Sequence, residues 1–117
     1  MSKGSKKSTL SLAALGAVAR RFRALADPTR LALIQELMQG ERTVGALHAA
    51  VGTSQANASK QLAALAAEGV LARRREGVYA YYRIADPSIH ALCELVCDSL
   101  ARRHQDAWAQ VAQEVGA

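Results

Sequence analysis

The sequence is poor in features that would mark other kinds of protein. Its 117 residues hold only two cysteines, Cys93 and Cys97, so no disulfide framework supports the fold and a reducing cytoplasm is the expected setting. No run approaches the roughly 18 apolar residues a spanning helix needs, which leaves no membrane segment. The start, MSKGSKKSTLSLAALGAV, sets basic residues before an apolar stretch. Arg20, Arg21 and Arg23 then stand where an export signal would carry its small-residue cleavage site. Nucleophile–base constellations, phosphate loops and metal motifs are missing too. A lone His48 or Ser59 makes no site, and an enzyme is not expected.

Half of the chain is hydrophobic and 21% is charged, enough to bury one core in one compact domain. The charge is unevenly placed. Residues 1–75 carry twelve Lys/Arg against four Asp/Glu, a net of +8, whereas 76–117 carry three against six, a net of −3. A basic half joined to an acidic half suggests one surface for a polyanion and another for a different task.

Residues 1–8 (MSKGSKKS) read as a disordered basic arm, and 9–117 as a single domain. From Thr9, Leu10, Ala13, Ala14, Ala17 and Val18 recur at helical spacing. Asp27-Pro28 is a helix start, with Asp as N-cap and Pro at the first helical position. The helix it opens places Leu31, Ile34, Leu37 and Met38 on one stripe and should end at Gly40. Thr43 can cap a short helix, VGALHAAV, closing at Gly52. Thr53 or Ser54 can cap a longer one through Glu68, closed by Gly69, with Ala58, Leu62, Leu65 and Ala66 as its core stripe. Helical periodicity stops at Val70, and LARRR-EG-VYAYYRIA reads as a hairpin turning near Glu76-Gly77. Asp86-Pro87 repeats the capping signature. The last helix should run from about Ser88 to near Val115, along a seam of Ile89, Leu92, Cys93, Val96, Cys97, Leu100, Trp108, Val111 and Val115. The expected architecture is mainly α with a small β-hairpin wing, a winged helix-turn-helix.

The segment GTSQANASKQLAALAAEG carries the best candidate chemistry. Leu62, Leu65 and Ala58 lie within roughly 60° of one another on a helical wheel. Asn57, Lys60 and Gln61 fall on a polar flank, with Ser54 and Gln55 at the helix start. Ser, Gln and Asn exchange hydrogen bonds with base edges, and Lys neutralises phosphate. A solvated polar face would look the same, but the hairpin adds weight. Arg73, Arg74, Arg75 and Arg83, interleaved with Tyr79, Tyr81 and Tyr82, make a basic ribbon able to lie along a nucleic-acid backbone. Some of these tyrosines must pack as core, and alternation does not say which.

The pieces ADPTRLALI, SQANASKQL, LAALAAEGVL and RRREGVYAYYRI, in that order, resemble the ArsR/SmtB family of bacterial winged-helix repressors over about residues 20–100. The resemblance implies a homodimer built on the first and last helices. It also implies a palindromic double-stranded operator and release on binding an inducer. Carried over, Ser54, Gln55, Asn57, Ser59, Lys60 and Gln61 would face the major groove, and Arg75 and Tyr79 would sit at the wing. Gln61 stands where many members have histidine.

The family's arsenic-type Cys-x-Cys pair is absent from TVGALHAAV. Its zinc-type site is not expected either, since Ser88 replaces the histidine after Asp86 and His90 and His104 do not keep the spacing. No obligatory cofactor is implied. Cys93 and Cys97 remain, at i and i+4 on one face with Cβ atoms about 5–6 Å apart. Tetrahedral thiolate coordination spreads sulfurs by about 3.8 Å, so a soft ion could bridge them. A disulfide within the helix is harder, needing Cβ atoms about 3.5–4.5 Å apart. Paired across a dimer, four thiols would permit an intersubunit disulfide, a polysulfide bridge or trivalent arsenic or antimony. The same positions suit buried, unreactive cysteine. Two further readings stay open: a winged-helix module that holds a protein partner, and a constitutive regulator with structural cysteines.

Overall fold

The computed structural model describes residues 9–104; the expected arm at 1–8 and the seam residues Trp108, Val111 and Val115 lie outside them. The chain divides into two compact units, one up to Ala85 and one from Asp86.

In the first unit, α1 (Leu12–Leu25) begins where the Ser11 hydroxyl accepts from the Ala14 amide at 3.1 Å. That is three residues beyond the expected start, because the serine supplies the cap that Thr9 does not. The residues that recur at helical spacing along it do not form this unit's core. Leu10 and Val18 are exposed, and burial is confined to Ala24 and Leu25 at the far end. Asp27 and Pro28 act as expected in α2 (Pro28–Leu37), where Asp27 Oδ2 accepts from the Arg30 amide at 3.0 Å. The helix stops at Leu37, short of Gly40. Its inward face is Leu33, Ile34 and Leu37, whereas Leu31 is 43% exposed. The helix is in contact with α1 and with the two helices that follow it, and more than one neighbour selects adjacent buried positions that a single-stripe reading misses.

A two-residue strand, β1 (Arg42–Thr43), follows, and Thr43 Oγ1 then caps α3 (Val44–Val51) by accepting from the Ala46 amide at 3.1 Å. The next helix, α4 (Gln55–Ala67), leads to β2 (Leu71–Glu76) and β3 (Tyr79–Ile84). Glu76 pairs with Tyr79 across a two-residue loop in which Gly77 has φ +63°, the glycine-first arrangement that suits strand twist. The sheet order is β1-β3-β2, all antiparallel, with Arg42 opposite Tyr82 and Thr43 opposite Tyr81. The core gathers Leu33 and Ile34 from α2, Leu47 from α3, Ala58, Leu62 and Leu65 from α4, then Val70, Leu71 and Tyr82. Each large aliphatic side chain so buried contributes about 1.5–3 kcal/mol. Tyr82 is thus the wing's core tyrosine, at 4% exposure, while Tyr79 is 59% exposed.

The second unit is α5, described over Ser88–Arg103. Asp86 Oδ1 accepts from the Ser88 amide at 2.9 Å and from its hydroxyl at 2.7 Å. Ile89 is buried; Leu95, Val96 and Leu100 are exposed.

Candidate nucleic-acid interface

The turn between α3 and α4 is fixed by its own chemistry. Gly52 sits in the left-handed region at φ +83°, and its amide reaches the His48 carbonyl at 2.9 Å. The His48 Nδ1 lies 3.2 Å from the Thr53 carbonyl. Ser54 then caps α4, its hydroxyl accepting from the Asn57 amide at 3.0 Å. Of the two candidate caps, Ser54 takes the role and Thr53 does not.

Thr53 has a different partner. Asn57 Nδ2 donates to Thr53 Oγ1 at 2.8 Å, and Gln61 Nε2 donates to Asn57 Oδ1 at 3.3 Å. Arg30 Nε in turn donates to Gln61 Oε1 at 2.6 Å, while its Nη1 donates to the Ala24 carbonyl at 3.1 Å. Asn57 and Gln61 are half-buried and committed to this chain of bonds. Gln55, Ser59 and Lys60 are exposed. Among the described residues, none of the three makes a side-chain hydrogen bond or ion pair.

The wing brings one further expected residue, Tyr79, to this region. Gln55 and Ser59 of α4 line a cleft of about 320 Å³ with Thr43, Val78, Tyr79 and Ala80. Arg73 and Arg75 lie exposed on β2. Arg74 is spoken for: it forks onto Glu41 at 2.8 and 2.9 Å, reaches Glu76 at 2.8 Å and lies 4.4 Å from the Tyr81 ring centroid. Those hydrogen bonds hold the Glu41 carboxyl below the usual glutamate range and push the Arg74 guanidinium higher still. Arg30 and Glu41 carry no sequence signal of these roles, since each partner lies more than 30 residues away.

On α5, Cys93 is half-buried and Cys97 exposed, and both are free thiols. Burial, and then the neighbouring Cys97, push the Cys93 thiol up. Among the described residues no group of three or more His, Cys, Asp or Glu is placed to hold a metal ion, and no helix is long and apolar enough to cross a membrane.

A helix-turn-helix domain model matches residues 25–74. The repressor SmtB of Mycobacterium tuberculosis is 37% identical over 93 residues, covering 80% of this chain and 67% of its own. The chain belongs to the ArsR/SmtB family of winged helix-turn-helix transcriptional regulators. This is a family of regulators and not of enzymes. Another transcriptional regulator of M. tuberculosis is 44% identical over 84 residues, 72% of this chain. A probable mercury resistance operon repressor of Streptomyces lividans is 43% identical over 77 residues, 66% of this chain. The chain spans only 37% and 62% of the lengths of these two relatives. Among solved structures, a homodimeric winged helix-turn-helix DNA-binding domain from Mycobacterium bovis matches with a TM-score of 0.70 and 41% identity, over 81% of this chain and 87% of that one. The antimony-specific transcriptional repressor AntR matches with a TM-score of 0.73 and 35% identity, over 81% and 86%. The ArsR/SmtB wing and helix-turn-helix expected from the sequence are both present.

Proposed function

We propose that the protein is a homodimeric repressor that binds a palindromic operator in the cytoplasm and leaves it when a thiophilic inducer engages Cys93 and Cys97. The observation that carries the DNA reading is the cleft in which Gln55 and Ser59 of α4 meet Tyr79 of the wing. In this reading α4 enters the major groove, with Gln55, Ser59 and Lys60 outward. Ser54, Asn57 and Gln61 set its cap and polar flank, and reach bases only by exchanging the bonds they hold. Arg73 and Arg75 follow the backbone beside the groove. Exposed Leu12, Leu15, Val18 and Phe22 on α1, and Leu95, Val96 and Leu100 on α5, are apolar surface that a second copy would cover. In this reading 9–117 act as one domain, with the last helix serving dimerisation.

The test is fluorescence anisotropy on a duplex from the chain's own promoter and on one of mixed sequence, each across a salt series. Tighter binding to the promoter, weakening steeply with salt, is expected. Equal, salt-insensitive binding would favour a protein-interaction module. Equilibrium sedimentation showing only the 12.4 kDa monomer at micromolar concentration would remove the dimer.

The inducer reading rests on two thiols spaced i and i+4 on α5. Relatives named for antimony and for mercury resistance point to the same soft-ion chemistry. Titration of the protein–operator complex with arsenite, antimonite, mercuric ion, zinc and polysulfide separates a metalloid sensor from a persulfide sensor.

A further inference from the structure

A second cleft, of about 440 Å³, runs along the C-terminal half of α4. Arg20 and Arg23 of α1 and Arg30 of α2 line it, with Ala64, Ala67 and Glu68 on the α4 side. Arg20 and Arg23 stand at i and i+3 and therefore share a helix face. Among the described residues neither makes a side-chain hydrogen bond or ion pair. Arg30 spends Nε on Gln61 and Nη1 on Ala24, which leaves Nη2 for another acceptor. Alanines at 64 and 67 keep this wall low. Glu68 is the single carboxylate on the rim. With the negative end of the α4 dipole it reduces the charge of three guanidiniums without cancelling it.

We propose that this cleft is an oxyanion site that takes a phosphate group. Guanidinium forks match phosphate oxygens in pairs; Arg20 and Arg23 each bring an uncommitted fork to the cleft, and Arg30 adds the one nitrogen its two bonds leave. The source can be an operator backbone phosphate or a free phosphorylated ligand. The backbone source rests on the DNA reading above and fits the helix geometry. Ala56, Lys60, Ala63 and Ala67 form one exposed line along α4, and Ala67 also belongs to the cleft wall. A duplex laid along that line passes the mouth of the cleft. A phosphate held there on Arg30 lies one residue from Gln61, so the site grips the backbone and steadies the recognition helix together.

The experiment compares the full chain with Arg20→Gln/Arg23→Gln, both exposed changes, after circular dichroism confirms equal helicity. The slope of log affinity against log salt on a mixed-sequence duplex should fall by about two units per dimer, near 0.9 for each phosphate no longer neutralised. Thermal unfolding without DNA, in millimolar inorganic pyrophosphate, reads the free-ligand source. A rise in Tm for the parent and none for the variant would assign the site to a free phosphorylated ligand; a fall in slope alone would assign it to the backbone. Equal slopes and equal pyrophosphate responses would overturn the proposal. If the parent binds no duplex, the repressor reading fails, and the pyrophosphate arm still decides the cleft.

Discussion

Arg30 and Gln61 lie 31 residues apart in the chain, yet the arginine Nε donates to the glutamine Oε1 at 2.6 Å. Through its second bond to the Ala24 carbonyl, one guanidinium ties the end of α1 and the start of α2 to the middle of α4. Gln61 passes this order on to Asn57 and Thr53. The polar flank of α4 is thus positioned from behind.

Gln61→Leu removes the acceptor and leaves a half-buried guanidinium short of one partner. A hydrogen bond to a charged group contributes about 1.5–3 kcal/mol, and partial exposure places the expected loss near the lower end. Urea unfolding measures it. If DNA affinity drops for every sequence alike, Gln61 acts by positioning; a loss at one base pair alone would mean direct readout.

Lys60→Ala tests the outward line of α4. The variant should bind all duplexes more weakly, and its salt slope should be shallower by about one unit per subunit. Unchanged binding would place the groove-facing surface elsewhere on the domain.

The Arg74–Glu41 pair predicts a pH effect. The folded Glu41 carboxyl titrates below its ordinary value because Arg74 donates to it. Its stabilising contribution is therefore complete above the ordinary glutamate range and is lost as the pH falls through the lowered folded value. Plotted against pH, the Tm of Glu41→Gln should lie below the parent near neutrality and converge with it in acid. Parallel curves would show that the pair adds nothing.

Cys93→Ser and Cys97→Ser should each retain operator binding and lose release by the active thiophile. The thiolate is the ligand, and the Cys93 thiol is pushed up by burial and by Cys97, so release in the parent should quicken as the pH is raised. A double serine variant that still lets go of DNA with the true inducer would make both cysteines packing residues.

Much of the fold could be read from the sequence because its signals are local. Asp27-Pro28, Gly52 and Gly77 each specify a cap or turn within a few residues, and the structure uses them so. Strand β1 was not legible, since two residues carry no periodicity and pair only with Tyr81 and Tyr82, far downstream in the chain. Tyr79 and Tyr81 share one face of β3 and Tyr82 takes the other, and only the helices packed on the sheet select Tyr82 for burial. In the candidate site, residue types on α4 and the wing were readable, but their commitments were not. Nothing near Gln61 announces Arg30, and nothing near Arg74 announces Glu41. Along α1 the spacing gave the helix but not what covers its apolar face, because amphipathic spacing marks a face to be covered without saying whether the same chain covers it.

Thr43 belongs to two elements at once. Its backbone pairs with Tyr81 in the sheet and its hydroxyl caps α3. One residue therefore joins the sheet of the wing to the helix-turn-helix, and a displacement of either is passed to the other through it. In the proposed repressor, the span from α4 to the wing is then set within each protomer by that shared residue. Under that proposal, operators whose half-sites differ in separation would be accommodated by the joint between two copies, so a switch that loosens DNA should act on that joint.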